Sequence, residues 1–169
     1  MKKYLIPLIA GIFLTLAGCN KDEEGCGLPN PSGTASPSEV AHISNWLAGE
    51  GILNAIQLPS GVFVVINDAG DDRRAETCTK INFSYTGSFM DSTHHVFDSN
   101  PIGITVFLGQ LVTGVQYALH EVGEGASVEI YLPPSLAYGS AGIVNNETGE
   151  IIVPPNTYLV FEVNLNEIQ

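Results

Sequence analysis

The sequence predicts an α+β fold: a curved antiparallel β-sheet wrapped around one short α-helix, preceded by a helical extension. Three observations carry this reading. From Gly61 onward, four separate stretches alternate apolar and polar residues with period two, the mark of half-buried strands. In that same region residues 114–122 repeat at helical spacing. Ahead of Gly61, a helix-start signal heads a second apolar stripe. Only 14% of the 169 residues are charged and 44% are apolar, which fits one domain plus a short appendage and excludes a disordered chain.

The helical extension comes first. In Ser36-Pro37-Ser38-Glu39, Ser36 suits a helix cap, Pro37 the first helical position and Glu39 the third, the pattern of a capping box. Val40, Ile43, Trp46 and Leu47 then form one stripe, which packs within the chain or serves as a dimer contact. Gly49 and Gly51 interrupt, and Ile52, Leu53 and Ile56 offer a further turn before Leu58-Pro59-Ser60-Gly61. Val62 to Ile66 reads as a strand bounded by Asn67-Asp68-Ala69-Gly70. Ile81, Phe83 and Tyr85 alternate with polar neighbours, as do Ile104, Val106 and Leu108. Val115, Ala118, Leu119 and Val122 make the short helix. Val128, Ile130 and Leu132, then Leu159, Phe161, Val163 and Leu165, complete the sheet.

Charge narrows the function. Six Lys and Arg stand against 18 Asp and Glu, a net charge of −12. Nucleic-acid backbones demand cationic groups that release counterions, so they are excluded as main partners. At the N-terminus, Lys2 and Lys3 precede the uncharged apolar run Tyr4 to Leu16, and Leu16-Ala17-Gly18-Cys19 comes next. The layout is that of a secretory leader, and its last four residues resemble a lipobox. That resemblance implies a signal peptide over 1–18, cleavage before Cys19 and lipidation of its thiol, giving the membrane as a partner. Asn20 after Cys19 implies the outer membrane, and Lys21-Asp22-Glu23-Glu24 is similar to the export tag of Bacteroidetes-type surface lipoproteins. Residues 19–35, rich in Gly, Pro and Ser, read as a flexible tether, 36–60 as the helical extension and 61–169 as the main domain. Cys26 and Cys78 form a disulfide or remain two thiols; spacing alone leaves both open.

The motifs of nucleophilic, metal and nucleotide chemistry are absent: there is no G-x-S-x-G, H-E-x-x-H, C-x-x-C or P-loop pattern. His94-His95 reads as a solvated loop, Asp71-Asp72-Arg73-Arg74 as a solvated turn and Gly123-Glu124-Gly125 as a turn. No metal and no cofactor is expected.

Five ordered blocks carry a resemblance: Phe83-Ser84-Tyr85-Thr86-Gly87, Val96-Phe97-Asp98-Ser99, Leu108-Gly109-Gln110-Leu111-Val112-Thr113-Gly114, residues 131–139 and residues 152–163. Over residues 61–169 the chain resembles the FKBP-type peptidyl-prolyl isomerase family. The resemblance implies an apolar pocket for a proline side chain and turnover of X-Pro bonds in proline-containing polypeptides. It assigns catalytic roles to Tyr85, Phe97, Asp98, Tyr138 and Phe161, and substrate contacts to Ile104, Leu111, Val112, Val115, Ile152 and Val153. Asp98 is expected at the pocket edge, held by Tyr85 or by nearby polar groups. Ile104 stands where many members have Phe, and Val115 where many have Trp, which implies a deeper, less aromatic pocket with weakened macrolide binding. The rival reading is a binding or chaperone module that keeps the fold without turnover. The insertion Val144 to Glu150 falls in a loop that flanks the pocket in relatives.

Overall fold

A computed structural model describes residues 26–169; the leader, the lipobox with Cys19 and the acidic tag lie outside the described residues. Helix α1, Pro37–Gly49, starts with the capping box read from the sequence: the Ser36 hydroxyl accepts from the Glu39 N–H, and the Glu39 carboxylate accepts from the Ser36 N–H. The helix ends at Gly49, and Ile52 and Leu53 add no further turn. Eight strands come after it: β1 Ile56–Gln57, β2 Phe63–Asp68, β3 Lys80–Phe89, β4 Val96–Phe107, β5 Ser127–Leu132, β6 Ile143–Val144, β7 Ile151–Val153 and β8 Leu159–Ile168. Helix α2, Thr113–His120, lies between β4 and β5. Six strands form one antiparallel sheet in the order β1-β2-β5-β8-β3-β4, while β6 and β7 make a separate hairpin.

The period-two pattern decides the two faces. On β8, Leu159, Phe161, Val163 and Leu165 are buried against α2, together with Val128, Ile130 and Leu132 of β5. Alternate residues point the other way, and there Phe63, Val65, Tyr131 and Val160 form a second cluster that receives Ile43 and Leu47 of α1. The stripe of α1 is thus filled by the same chain. Helix α2 approaches the sheet closely because Gly114 has no Cβ; an added methyl would run into the Leu132 side chain.

Two irregularities of β4 shape the surface beside α2. Phe83 pairs with Ile104 but Tyr85 pairs with Asn100, so residues 101–103 bulge outward, with Gly103 at φ 98° and its N–H donating to Asn100 Oδ1. Nearer the start of the strand, Gly87 pairs with Asp98 and Ser88 with Val96, leaving Phe97 as an extra residue. A bulge of this kind re-aims a side chain, and it brings Phe97 and Asp98, although adjacent, to one face.

Residues 26–35, expected as part of a tether, run along the domain. Cys26 and Cys78 are joined by a disulfide, with Cα atoms 5.4 Å apart. Thr77 Oγ1 donates to Asn30 Oδ1, Tyr117 Oη to the Gly33 carbonyl, and the Ala35 N–H to the Ser60 carbonyl. The turn at 71–74 is also more than solvated: Arg73 pairs with both Asp71 and Glu124.

Candidate active site

The face of the sheet that carries α2 is not completely covered. Helix α2 is only eight residues long, and beyond its N-terminal end a hollow of about 230 Å³ opens to solvent. Its walls are Phe83, Tyr85, Asp98, Ile104, Gln110, Leu111, Val112, Val115, Tyr138, Phe161 and Val163.

Each wall has a local cause. Tyr85 and Phe161 come from neighbouring strands of equal parity; Tyr85 lies against Phe83 and Phe161 with ring centroids 5.5 and 6.2 Å away. Phe97 meets Phe161 edge to face at 5.7 Å. Gly87 permits this meeting, since a Cβ there would press into both rings. Leu111 and Val112 sit on the segment entering α2. That segment is held by buried Gln116, whose Nε2 donates to the Leu111 and Gly109 carbonyls at 2.7 and 3.3 Å. Val115 forms the floor. Tyr138 arrives from the other side, after a 3-10 turn at Pro134–Leu136.

One charge stands in this apolar wall. Asp98 is exposed at the rim, and its Oδ2 accepts the Tyr85 hydroxyl at 2.7 Å, the contact expected from the sequence. Burial, and then the Asp98 hydrogen bond and charge, push the Tyr85 phenol up to about 12. Burial and the charge of Asp98 also raise Tyr138 above its ordinary value. Both hydroxyls therefore stay protonated donors at neutral pH. The site offers no nucleophile beside a base. Its chemistry is to exclude water from an apolar group while a carboxylate and two phenols orient polar groups at the edge.

Of the residues expected from the sequence, eight come together in the wall: Tyr85, Asp98, Ile104, Leu111, Val112, Val115, Tyr138 and Phe161. Phe97, Ile152 and Val153 do not line it. Phe97, which the bulge leaves unpaired, packs on Phe161 and Phe89. Val153 is buried in the core and Ile152 is half-buried beside it on β7. Sequence reasoning missed Phe83, Gln110 and Val163. Strand parity contains the signal for two of them: Phe83 is two residues from Tyr85, and Val163 two from Phe161.

The antiparallel sheet packed on a short helix, with an aromatic hollow at the helix's start, defines an α+β domain with one open apolar site on its helix-bearing face. The family model described as FKBP-type peptidyl-prolyl cis-trans isomerase matches residues 71–166, more than half of the chain, and the chain belongs to that family. It is 31% identical over 114 residues to the FKBP-type peptidyl-prolyl cis-trans isomerase FkpA of Buchnera aphidicola, covering 65% of this chain and 42% of that one. It is 29% identical over 117 residues to the outer membrane protein MIP of Legionella longbeachae, covering 68% and 47%. The chain therefore spans under half the length of these two relatives. Among solved structures, a peptidyl-prolyl cis-trans isomerase from Pseudomonas syringae superposes with a TM-score of 0.64 at 22% identity, covering 81% of this chain and 99% of that one. That likeness concerns the fold.

Proposed function

We propose that this protein is a peptidyl-prolyl cis-trans isomerase acting on X-Pro bonds of extracytoplasmic proteins. The observation that carries the reading is the hollow itself: an apolar floor and aromatic walls with a single carboxylate, Asp98, fixed at the rim by Tyr85. Amide resonance sets a barrier of ~18–20 kcal/mol to rotation about the peptide bond, and lowering it requires no covalent step. The twisted amide carries less charge on its carbonyl oxygen and a more amine-like nitrogen than the planar form. Moving it from water into an apolar site therefore costs less. Binding the twisted form more tightly than the planar one is catalysis, and a difference of about 5 kcal/mol corresponds to several thousandfold. In this reading Val115, Phe161 and Tyr85 take the proline ring, the Tyr138 hydroxyl bonds a peptide carbonyl, and Asp98 orients the carbonyl dipoles. Phe97 acts by holding Phe161.

The same reading places the protein in the cell envelope, anchored by lipid on Cys19 and held at the outer membrane. Macrolides bind weakly, because Val115 replaces a flat aromatic floor. Among the described residues, no helix is long and apolar enough to cross a membrane.

Val115 also favours a second reading, a chaperone module that binds unfolded clients without turnover. A protease-coupled proline-peptide assay on the purified protein separates the two. Acceleration that scales with protein concentration supports the isomerase. Relaxation at the uncatalysed rate, with unfolded client still bound, supports the chaperone.

A further inference from the structure

We propose that Glu39, on the N-terminal helix, is a positioning residue for the hollow and acts by holding the segment that delivers Tyr138. This role rests on the proline-site reading above.

Pro133-Pro134-Ser135 opens a turn that cannot satisfy its own donors. The first turn of a helix leaves N–H groups with no partner of their own. Pro134 has no N–H, and Pro133 offers no side-chain cap to the 3-10 turn it precedes. Leu136 N–H donates to the Pro133 carbonyl, and the N–H groups of Ala137 and Gly139 both donate to the Pro134 carbonyl. Within Pro134–Leu136, Ser135 N–H is thus the donor without an acceptor in its own segment. It donates to Glu39 Oε1 at 3.0 Å, and the Ser135 hydroxyl donates to Glu39 Oε2 at 3.0 Å. One carboxylate, 96 residues away in sequence, fixes both donors of Ser135 through charge-assisted bonds.

The carboxylate is itself immobilised. Glu39 Oε2 also accepts from the Ser36 N–H at 2.8 Å and the Ser36 hydroxyl at 2.9 Å. Helix α1 is seated on the sheet by Ile43 and Leu47, both buried. On its other side the segment presses on α2, where a methyl added to Gly114 would sit 3.1 Å from the Leu136 carbonyl. The turn is held between two supports, and three residues past Ser135 the Tyr138 ring enters the hollow. The N-terminal helix, packed on the face opposite the hollow, reaches the site's support through the Glu39 side chain.

The test compares Glu39→Ala, Glu39→Gln and Ser36→Ala in the whole protein. It reads KM and kcat for a proline peptide, the melting temperature, and the ring resonances of labelled Tyr138. Glu39→Ala is expected to raise KM about fivefold with kcat changed less, since loosened positioning weakens capture, and to shift the Tyr138 resonances. Glu39→Gln keeps an acceptor for Ser135 and is expected to restore KM to within about twofold of the native value. Ser36→Ala removes the cap of α1 and one of the two Ser36 bonds to Glu39 but keeps the Ser36 N–H bond and both Ser135 bonds; it is expected to lower the melting temperature and to move KM and Tyr138 much less than Glu39→Ala does. If Glu39→Ala merely lowers the melting temperature as Ser36→Ala does, leaving KM and the Tyr138 resonances in place, the positioning role is overturned. If the native protein shows no turnover, the isomerase reading fails by itself, and the Tyr138 resonances still decide the role of Glu39.

Discussion

One sheet has two apolar faces here, and they end up differently. The face toward α1 is apolar only where Phe63, Val65, Tyr131 and Val160 gather, and α1 covers that area with Ile43 and Leu47. Beyond it the same face turns polar, with Glu129 and Glu162 directly paired across β5 and β8. The face toward α2 stays apolar along the full length of β8, but α2 is shorter than the area it would need to cover. Its uncovered end is the hollow. Apolar strand surface that outruns its helix is left open as the hollow; where helix and surface match, the surface is closed.

That contrast makes the consequences of substitution separable. The largest expected effect lies outside both faces. Replacing Cys26 and Cys78 by Ser opens a link of 52 residues, and loop-closure entropy sets the loss at about 4 kcal/mol. Denaturant unfolding measures it. Next, Ile43→Ala, fully buried under α1, is expected to lower stability by about 2–5 kcal/mol, while turnover by the folded protein falls no further than in Glu39→Ala. A larger loss of turnover would show that α1 supports the hollow by more than Glu39. Asp98→Ala reverses the pattern. Asp98 is exposed, so the melting temperature is expected to change little, while kcat/KM falls on the order of tenfold to a hundredfold.

The smallest effect is alkaline. The Tyr85 phenol is raised from 10.0 to about 12 in the folded protein, so folding favours its protonated form. This contribution to stability is complete below pH 10 and is lost as pH rises from there toward about 12. Stability, measured by denaturation across that window, is expected to fall more steeply for the native protein than for Tyr85→Phe.

Most of this architecture is legible in the residues themselves. Alternation along Leu159 to Leu165 and along Val128 to Leu132 identifies two central strands, and Ser36 to Glu39 announces α1. The short pairings β1, β6 and β7 are not legible, because two or three residues carry no period. The first part of β4 is hidden for another reason: Asp98, Ser99 and Asn100 are poor strand formers, held there by pairing with β3, and Pro101 begins the unpaired bulge. The same principle limits the site. A sequence shows that Phe97 and Asp98 are neighbours, not that a bulge sets the Phe97 ring against Phe161 with the Asp98 carboxylate on the rim beside it. Nor does it show that residues 26–35 are tied down, since that depends on which of two states Cys26 and Cys78 adopt.

The isomerase reading requires X-Pro rotation to occur in the hollow beside α2 and nowhere else on the sheet. Exchange spectroscopy of a labelled proline peptide, with protein resonances followed in the same titration, probes this without an intermediary. Accelerated cis–trans exchange is expected, accompanied by shifts at Tyr85, Leu111, Val112 and Tyr138, with Ile43 and Trp46 unmoved. Exchange at the free-peptide rate, or shifts centred on the α1 face, would refute it.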